Sequence, residues 1–438
     1  MSSLCPDNRT PVLVAGLAVC LATAPAWAAD WSVSPAVTMS VEHDSNIRFE
    51  RDGAASSQAD WLTRVTPRVT ARRATPASRV QLQVQVEGEK YARHHDLDDL
   101  TGSATAAVTT RWGETQKMEL AVSARQDSTL EGELTGSGTL TRRVDRQVGG
   151  VEVGLERAVG EKTSFAANAG LTLVAYPDDD FNDQAASTLG LEVARRLNPR
   201  DQVGVSGRYR HTSYDGSTGT SEGFGSFGAG PGIYTLTDHR EDATIRTTAA
   251  SLFWRRRLSE RDRLTASLGV EHTGTERPAT RQDRLAWADG TRTRVLLDDA
   301  VDQTDTGLFF ELGLEKYLSE RLSLSLSVGR KHFATVDAIT TERLYGRGSL
   351  GYRLSERAET GLALAYDWND AVPDRAVDSS FASLQPFYRW RWSQDTVLRA
   401  GLTHTFYRED DPTGDDDMDR TRIWLQAEVL WPELWRNR

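Results

Sequence analysis

Cysteine is almost absent from this chain. Only Cys5 and Cys20 occur in 438 residues, and both fall within the first 28. A form that has lost that segment has no disulfide framework, no thiolate metal site and no cysteine nucleophile. Long apolar runs are equally scarce. The longest, Val12–Ala24, is shorter than the roughly 20 residues that a helix needs to cross a bilayer. A basic excess is missing too. Against 52 basic residues stand 63 acidic ones, a net charge of −11, which disfavours nucleic acid as a partner.

The short apolar run has another use. Arg9 precedes it and Pro25-Ala26-Trp27-Ala28 follows it with small residues in an A-x-A arrangement. This predicts a signal peptide over 1–28, cleaved on export, and a single domain over 29–438. Cleavage would remove one acid, Asp7, and one base, Arg9, leaving the net charge unchanged. No change of composition or period marks a boundary in the remainder. One closed sheet accounts for that length better than several soluble domains.

What the chain does have is alternation. Val80, Leu82, Val84 and Val86 point one way, and Gln81, Gln83, Gln85 and Glu87 the other. Period two over this length is a strand with one apolar and one polar face. The pattern recurs at Trp31–Glu42, Asp60–Arg72, Thr101–Trp112, Lys117–Arg125, Arg146–Arg157 and Thr163–Tyr176. It continues at 185–196, 201–212, 241–256, 261–273, 304–317, 322–333, 342–353, 359–368, 380–391, 396–406 and 420–431. The expected fold is all-β: a transmembrane antiparallel up-and-down β-barrel of about eighteen strands, with lipid outside and a polar lumen. A mean hydropathy of −0.50 does not oppose this, since only alternate residues meet lipid.

The connections alternate in length. Short ones are expected at Arg73–Ser78, Gly113–Gln116, Ala158–Lys162, Leu197–Arg200, Arg257–Glu260, Leu318–Arg321, Leu354–Arg357 and Trp392–Asp395. The tetrapeptide Leu-Ser-Glu-Arg recurs at three of these turns, Leu258–Arg261, Leu318–Arg321 and Leu354–Arg357. Long polar loops are expected at 129–145, 213–240, 274–303, 369–379 and 407–419. Short periplasmic turns and long external loops put both termini in the periplasm and the barrel in a bacterial outer membrane. Trp31, Trp61, Tyr91, Trp112, Tyr176, Trp254, Tyr317, Tyr345, Tyr366, Trp368, Trp390 and Trp431 lie near strand ends, which predicts two aromatic belts.

The polar parity names the residues expected to line the lumen. They are Arg64, Arg68, Arg72, Gln81, Gln83, Gln85, Glu87, Arg208, Arg210, Arg263, Glu311, Arg343, Arg347, Arg389, Arg391 and Arg422. Glu271, Glu315, Arg353, Gln426 and Glu428 share that parity. A symmetric hairpin about Arg73–Ser78 would set Arg64 opposite Glu87 and Arg68 opposite Gln83. Such a lining either attracts anionic solutes or forms self-neutralising ladders that stiffen the wall. An eighteen-stranded barrel is too wide for side chains to fill and leaves an aqueous channel unless a loop folds in. The Gly-rich loop 213–240 is long enough to do so.

Other chemistry finds little footing. His94-His95 stand adjacent on a connection, a poor metal geometry, and His211, His272 and His404 fall on the outward parity. The acidic run Glu409–Asp419 and the triplet Asp178-Asp179-Asp180 read as solvated loops; neither has the spacing of a complete calcium loop. No local motif supports catalysis, and no cofactor is expected.

Glu42-His43-Asp44-Ser45-Asn46-Ile47 closes the first strand, and Asp60-Trp61-Leu62-Thr63-Arg64-Val65-Thr66-Pro67 opens the second. This pair resembles the start of the β-barrel porin 2 family, outer-membrane barrels often associated with exopolysaccharide export systems. The resemblance implies a porin-like channel for polysaccharide or small anionic solutes, set among lipid and lipopolysaccharide and placed there by the barrel-insertion machinery. The terminal Trp431 is similar to the aromatic that this machinery reads, although Pro432–Arg438 follow it. A barrel closed by its loops, serving in structure or surface recognition, is the alternative; an outer-membrane enzyme is a weaker one.

Overall fold

The computed structural model describes residues 31–49, 58–128, 144–177, 182–215, 218–226, 231–239, 242–277, 280–286, 292–298, 300–334, 340–372, 378–411, 414–431 and 435–436. The expected signal peptide and the Asp178-Asp179-Asp180 triplet lie outside them. The strands are β1 (Trp31–Asp44), β2 (Asp60–Ala74), β3 (Ser78–Tyr91), β4 (Asp99–Trp112), β5 (Gln116–Ser128), β6 (Asp145–Ala158), β7 (Thr163–Ala175), β8 (Gln184–Arg196) and β9 (Asp201–Tyr214). Then come β10 (Thr218–Ser226), β11 (Pro231–His239), β12 (Ala243–Arg257), β13 (Arg263–Arg277), β14 (Thr280–Ala286), β15 (Arg292–Asp298), β16 (Val301–Tyr317), β17 (Leu322–Ala334) and β18 (Thr340–Arg353). The last are β19 (Ala358–Val372), β20 (Asp378–Arg391), β21 (Thr396–Asp411), β22 (Gly414–Leu430) and the two-residue β23 (Trp435–Arg436).

Eighteen of these form the wall. Each pairs antiparallel with its chain neighbour, β9 passes directly to β12 and β13 to β16, and β1 pairs with β22 to close the sheet. Closure removes the free edges that an open sheet would leave. The outer parity is apolar and bare. Met39, Val65, Val84, Val205, Leu268, Leu350 and Ile423 all point outward, and Leu252 and Leu425 are 67% and 60% exposed. An apolar girdle on nearly every strand far exceeds what a soluble surface tolerates, so hydrocarbon must cover it.

All eight expected short turns are present, at one end of the barrel, where β1 begins and β22 ends. The Leu-Ser-Glu-Arg repeat has a physical reason. At Ser259, Ser319 and Ser355 the side-chain oxygen accepts backbone N–H groups two and three residues ahead. The preceding leucine N–H meanwhile bonds across the turn, at 3.0, 2.8 and 2.9 Å. One hydroxyl thus satisfies the donors that the reversal strips from the ladder.

At the other end the expectations need correction. The segments 213–240 and 274–303 are not plain loops. They contain β10, β11, β14 and β15, joined as a separate four-stranded sheet through the β11–β14 pairing. Residues 407–419 are not a loop either: β21 and β22 stay paired up to Asp411 and Gly414. Beyond the bilayer a strand needs no greasy face, so an acidic run extends the hairpin without penalty. The β2–β3 register also differs from expectation. Arg64 stands opposite Glu89 and Arg68 opposite Gln85. The cause is a tighter turn, in which Thr75 bonds Ser78 through both its backbone and its hydroxyl, centring the hairpin between Pro76 and Ala77. The shift is two residues, so every side chain keeps its face.

Candidate functional site: the lumen wall

All sixteen residues expected in the lumen lie on the inner parity, opposite the exposed apolar residues of their own strands. Their environments differ. Arg64 on β2 lies 2.6 Å from Glu89, 3.3 Å from Glu87 and 3.6 Å from Glu42. Arg422 approaches Glu42 at 3.6 Å, while Arg68 and Arg399 share Glu428 at 2.8 and 3.3 Å. These residues form one charge ladder across the β1–β22 seam. Arg389 is 3.8 Å from Glu359.

A second cluster is deeper. Asp367 on β19 is fully buried. It accepts Nε of Arg343 at 2.7 Å and Nη2 of Arg347 at 2.6 Å. Arg347 also donates to the carbonyls of Tyr366 and Gly346. Arg72, Arg208, Arg210, Arg263 and Arg391 make no ion pair among the described residues, and Gln81, Gln83 and Gln85 face the same space without a charge. The lining is therefore partly self-neutralised, with five of the expected arginines left unpaired among the described residues.

Two segments enter the lumen. After β1 the chain turns inward at Ser45–Phe49. Asp44, 1% exposed, accepts Nε of Arg420 at 2.8 Å and the Asn46 N–H at 3.0 Å. Asn46 Nδ2 donates to the Asp419 carbonyl, and Ser45 exchanges bonds with Thr421. Ile47 then packs on Leu62 and Tyr91, and Phe49 on Phe381, Tyr407 and Met418, all inward residues. Phe49 holds φ at 53°, a left-handed conformation that a bulky residue adopts only when its surroundings fix it.

The second intrusion is the end of β17. Its pairing with β16 stops at Phe310 and Arg330, although both strands continue. His332 lies instead across Gly307, where any Cβ would strike the imidazole. Its backbone N–H donates to Glu271 at 3.1 Å, and its ring sits 3.2 Å from Glu271 and 3.0 Å from Asp305.

Sequence reasoning reached the inward arginines but passed over Asp367, Asp44, Arg420 and His332. Parity alone marks the first three as inward. Nothing in the local sequence announces that β17 leaves its neighbour. Three aromatics assigned to belts belong elsewhere. Tyr91 and Tyr176 are buried and Tyr345 points inward, because each fills space beside an intruding or covering segment. Trp61, Trp112, Tyr366, Trp368, Trp390 and Trp431 are exposed on the outside, while Tyr317, exposed at the short-turn end of β16, shares the parity of Glu311 and Glu315.

The chain matches no protein-family model and no curated protein sequence. Among solved structures it is similar to the ferric-catecholate import receptor Fiu of E. coli, at 10% identity, covering 90% of this chain and 81% of that one, with a TM-score of 0.44. It is also similar to the siderophore receptor PirA of Acinetobacter baumannii, at 8% identity, 91% and 80% coverage and a TM-score of 0.44. The FrpB iron transporter of Neisseria meningitidis gives 12% identity, 87% and 63% coverage and a TM-score of 0.48.

Proposed function

We propose that this chain is an outer-membrane channel for polar solutes, with saccharides and small anions as the favoured classes. One observation carries the reading: a closed eighteen-stranded wall, greasy outside, encloses a lumen lined by arginine, glutamine and acidic residues. A barrel of this width holds water, and charged linings choose what passes. The short-turn end, with both termini, faces the periplasm, and the segment 1–28 directs export and is removed. Lipopolysaccharide surrounds the outer leaflet, and the insertion machinery reads the β22 end.

The resemblance to the β-barrel porin 2 family supports the saccharide part of the reading. Its first motif, residues 42–47, runs from the inner face of β1 into the segment that turns into the lumen, which supports reading the resemblance as one of lumen residues. The anionic part rests on Arg72, Arg208, Arg210, Arg263 and Arg391.

A second reading, a barrel shut by its own segments, is favoured by the intrusions at Ile47, Phe49 and His332. Planar-bilayer recording separates the two. A stable ionic conductance from the purified protein is the expected result; an insulating barrel overturns the channel. Reversal potentials that stay put in Arg208→Ser and Arg210→Ser would remove the anion preference alone.

A further inference from the structure

Five aromatic side chains on the inner wall stand directly opposite glycines of the preceding strand. The pairs are Phe253 with Gly204, Phe309 with Gly269, Tyr345 with Gly329, Phe387 with Gly361, and Trp424 with Gly401. In each pair the ring lies over the glycine so closely that an added Cβ would overlap it. Covering a strand glycine with a neighbouring ring stabilises the sheet at a weak point. It also turns the ring flat against the wall, with its other face towards the lumen.

Two of these pairs share one row. Gly361 is opposite Phe387, Phe387 opposite Gly401, and Gly401 opposite Trp424. The two rings therefore form a continuous strip across four adjacent strands, β19 to β22. Their separation is two strand spacings, about 9.5 Å. Both rings are half-buried, so one face is committed to the wall and one remains accessible. The row is flanked on the inner face by Gln385, Arg389, Arg399, Arg422 and Gln426. Three of these arginines are held by acids: Arg389 by Glu359, Arg399 by Glu428 and Arg422 by Glu42.

The remaining pairs do not extend the strip. Phe253 is buried, with the Arg255 guanidinium 4.2 Å from its centroid. Tyr345 has Lys331 and Arg343 within 5.4 and 5.7 Å. Phe309 is half-buried, but its row continues through Gly269 to Ser251 and holds no second ring. Among the described residues, only the β19–β22 row presents two uncovered rings side by side.

We propose that Phe387 and Trp424 form a stacking platform for successive sugar rings of a glycan chain. Pyranose rings present flat C–H faces that lie on aromatic faces, and a chain repeats such faces at regular intervals. Pre-oriented amide, guanidinium and carboxylate groups beside the rings suit hydroxyls, which both donate and accept. A lipid tail would find no reason for those polar flanks, and a simple anion would gain nothing from the rings. The inference deepens the channel reading by naming the site that a saccharide would touch.

The test uses the full chain in detergent micelles and maltohexaose as probe, with line broadening of the sugar ring protons as readout. Wild-type protein should broaden them. Phe387→Leu with Trp424→Leu should weaken the interaction about tenfold, while Trp424→Phe, which keeps a flat face, should stay within about threefold of wild type. The heat-dependent gel shift of a folded barrel checks each variant. Should the double variant not fold, Phe387→Leu alone and Gly401→Ala, which drives the Trp424 ring off the wall, replace it. No broadening by wild type, or equal broadening by folded leucine variants, overturns the platform. A conducting barrel that leaves maltohexaose unaffected overturns the platform and spares the channel. An insulating barrel that binds the sugar does the reverse.

Discussion

Asp367 is the residue whose loss the lumen should feel most. Its carboxylate is completely buried and serves two guanidiniums, Arg343 and Arg347, at 2.6 to 2.7 Å. Arg343 is itself only 5% exposed. Replacing Asp367 by alanine leaves the Arg343 charge buried without its carboxylate, a class of change that costs about 3–5 kcal/mol. Arg347 adds little to that figure. Its side chain is 32% exposed and keeps its bonds to the Tyr366 and Gly346 carbonyls, so screening limits its share to about 0–1 kcal/mol.

Equilibrium unfolding by guanidinium in lipid vesicles should therefore show Asp367→Ala less stable by about 3–5 kcal/mol at an unchanged slope. Asp367→Leu combined with Arg343→Met should recover most of the loss, because the penalty comes from the stranded charge and not from missing volume. The same single variant leaves two guanidiniums uncompensated on the wall, so its reversal potential should move towards anion preference. A folded Asp367→Ala barrel within about 1 kcal/mol of wild type, or a double variant no better than the single one, refutes the reasoning.

Three further outcomes follow from the geometry. Ile47→Ala and Phe49→Ala each remove apolar burial of about 1.5–3 kcal/mol that holds the first inward segment; single-channel conductance should rise, and an unchanged conductance would mean the segment does not obstruct the path. Cysteines at 64 and 89 should oxidise to a disulfide faster than cysteines at 64 and 87, as read on non-reducing gels, because Glu89 and not Glu87 is the register partner. Asp262, in the turn before β13, has its pKa held below the ordinary value by the Tyr317 N–H, bonded at 2.7 Å, and by Ser259. Its contribution to stability is present above the unfolded pKa and lost as pH falls through the lower folded one. Asp262→Asn should therefore flatten the acid limb of a stability–pH curve, and an identical limb would show that the turn carries no such linkage.

The alternation wrote most of the wall into the sequence, because lipid and water impose opposite demands on consecutive residues. That is why the strand count and the face of every expected lumen residue were legible. Register was less so. Period two is blind to a shift of two residues, and the Thr75–Ser78 bonds that fix the β2–β3 turn are invisible to a hydrophobic pattern. The segments outside the bilayer were legible least. Once both faces meet water, a paired strand such as Tyr407–Asp411 loses the signature that distinguishes it from a loop. The inward aromatics were misread for a related reason. A tyrosine near a strand end looks the same whether it sits at a headgroup or, like Tyr91, against Ile47.

The two intrusions and the aromatic row fall on one side of the barrel. Ser45–Phe49 leans on β1 to β3 and β20 to β22, and His332 on β13 and β16. On β4 to β8 small inward residues, among them Ser103, Thr105, Ala107, Ala121, Ser123, Gly150, Gly154, Ala166, Asn168, Gly170, Ala186 and Thr188, are interspersed with charged ones such as Glu119, Arg125, Glu152 and Glu192. Counting round the eighteen wall strands, β20 lies nine places from β7 and β22 nine places from β9, so Phe387 faces the small residues of β7 and Trp424 faces the strand of Arg208 and Arg210. Small hydroxyl and methyl groups across from Phe387 leave clear width there, and the charged ladder of the seam lies beside that passage. A neutral, extended chain would then slide between ring faces and a polar wall that also carries fixed charges, Glu152, Arg208 and Arg210 among them. Arginines already held by Glu89, Glu428 and Asp367 have little attraction left to offer an anion, which leaves that part of the proposed channel to unpaired ones such as Arg208 and Arg210.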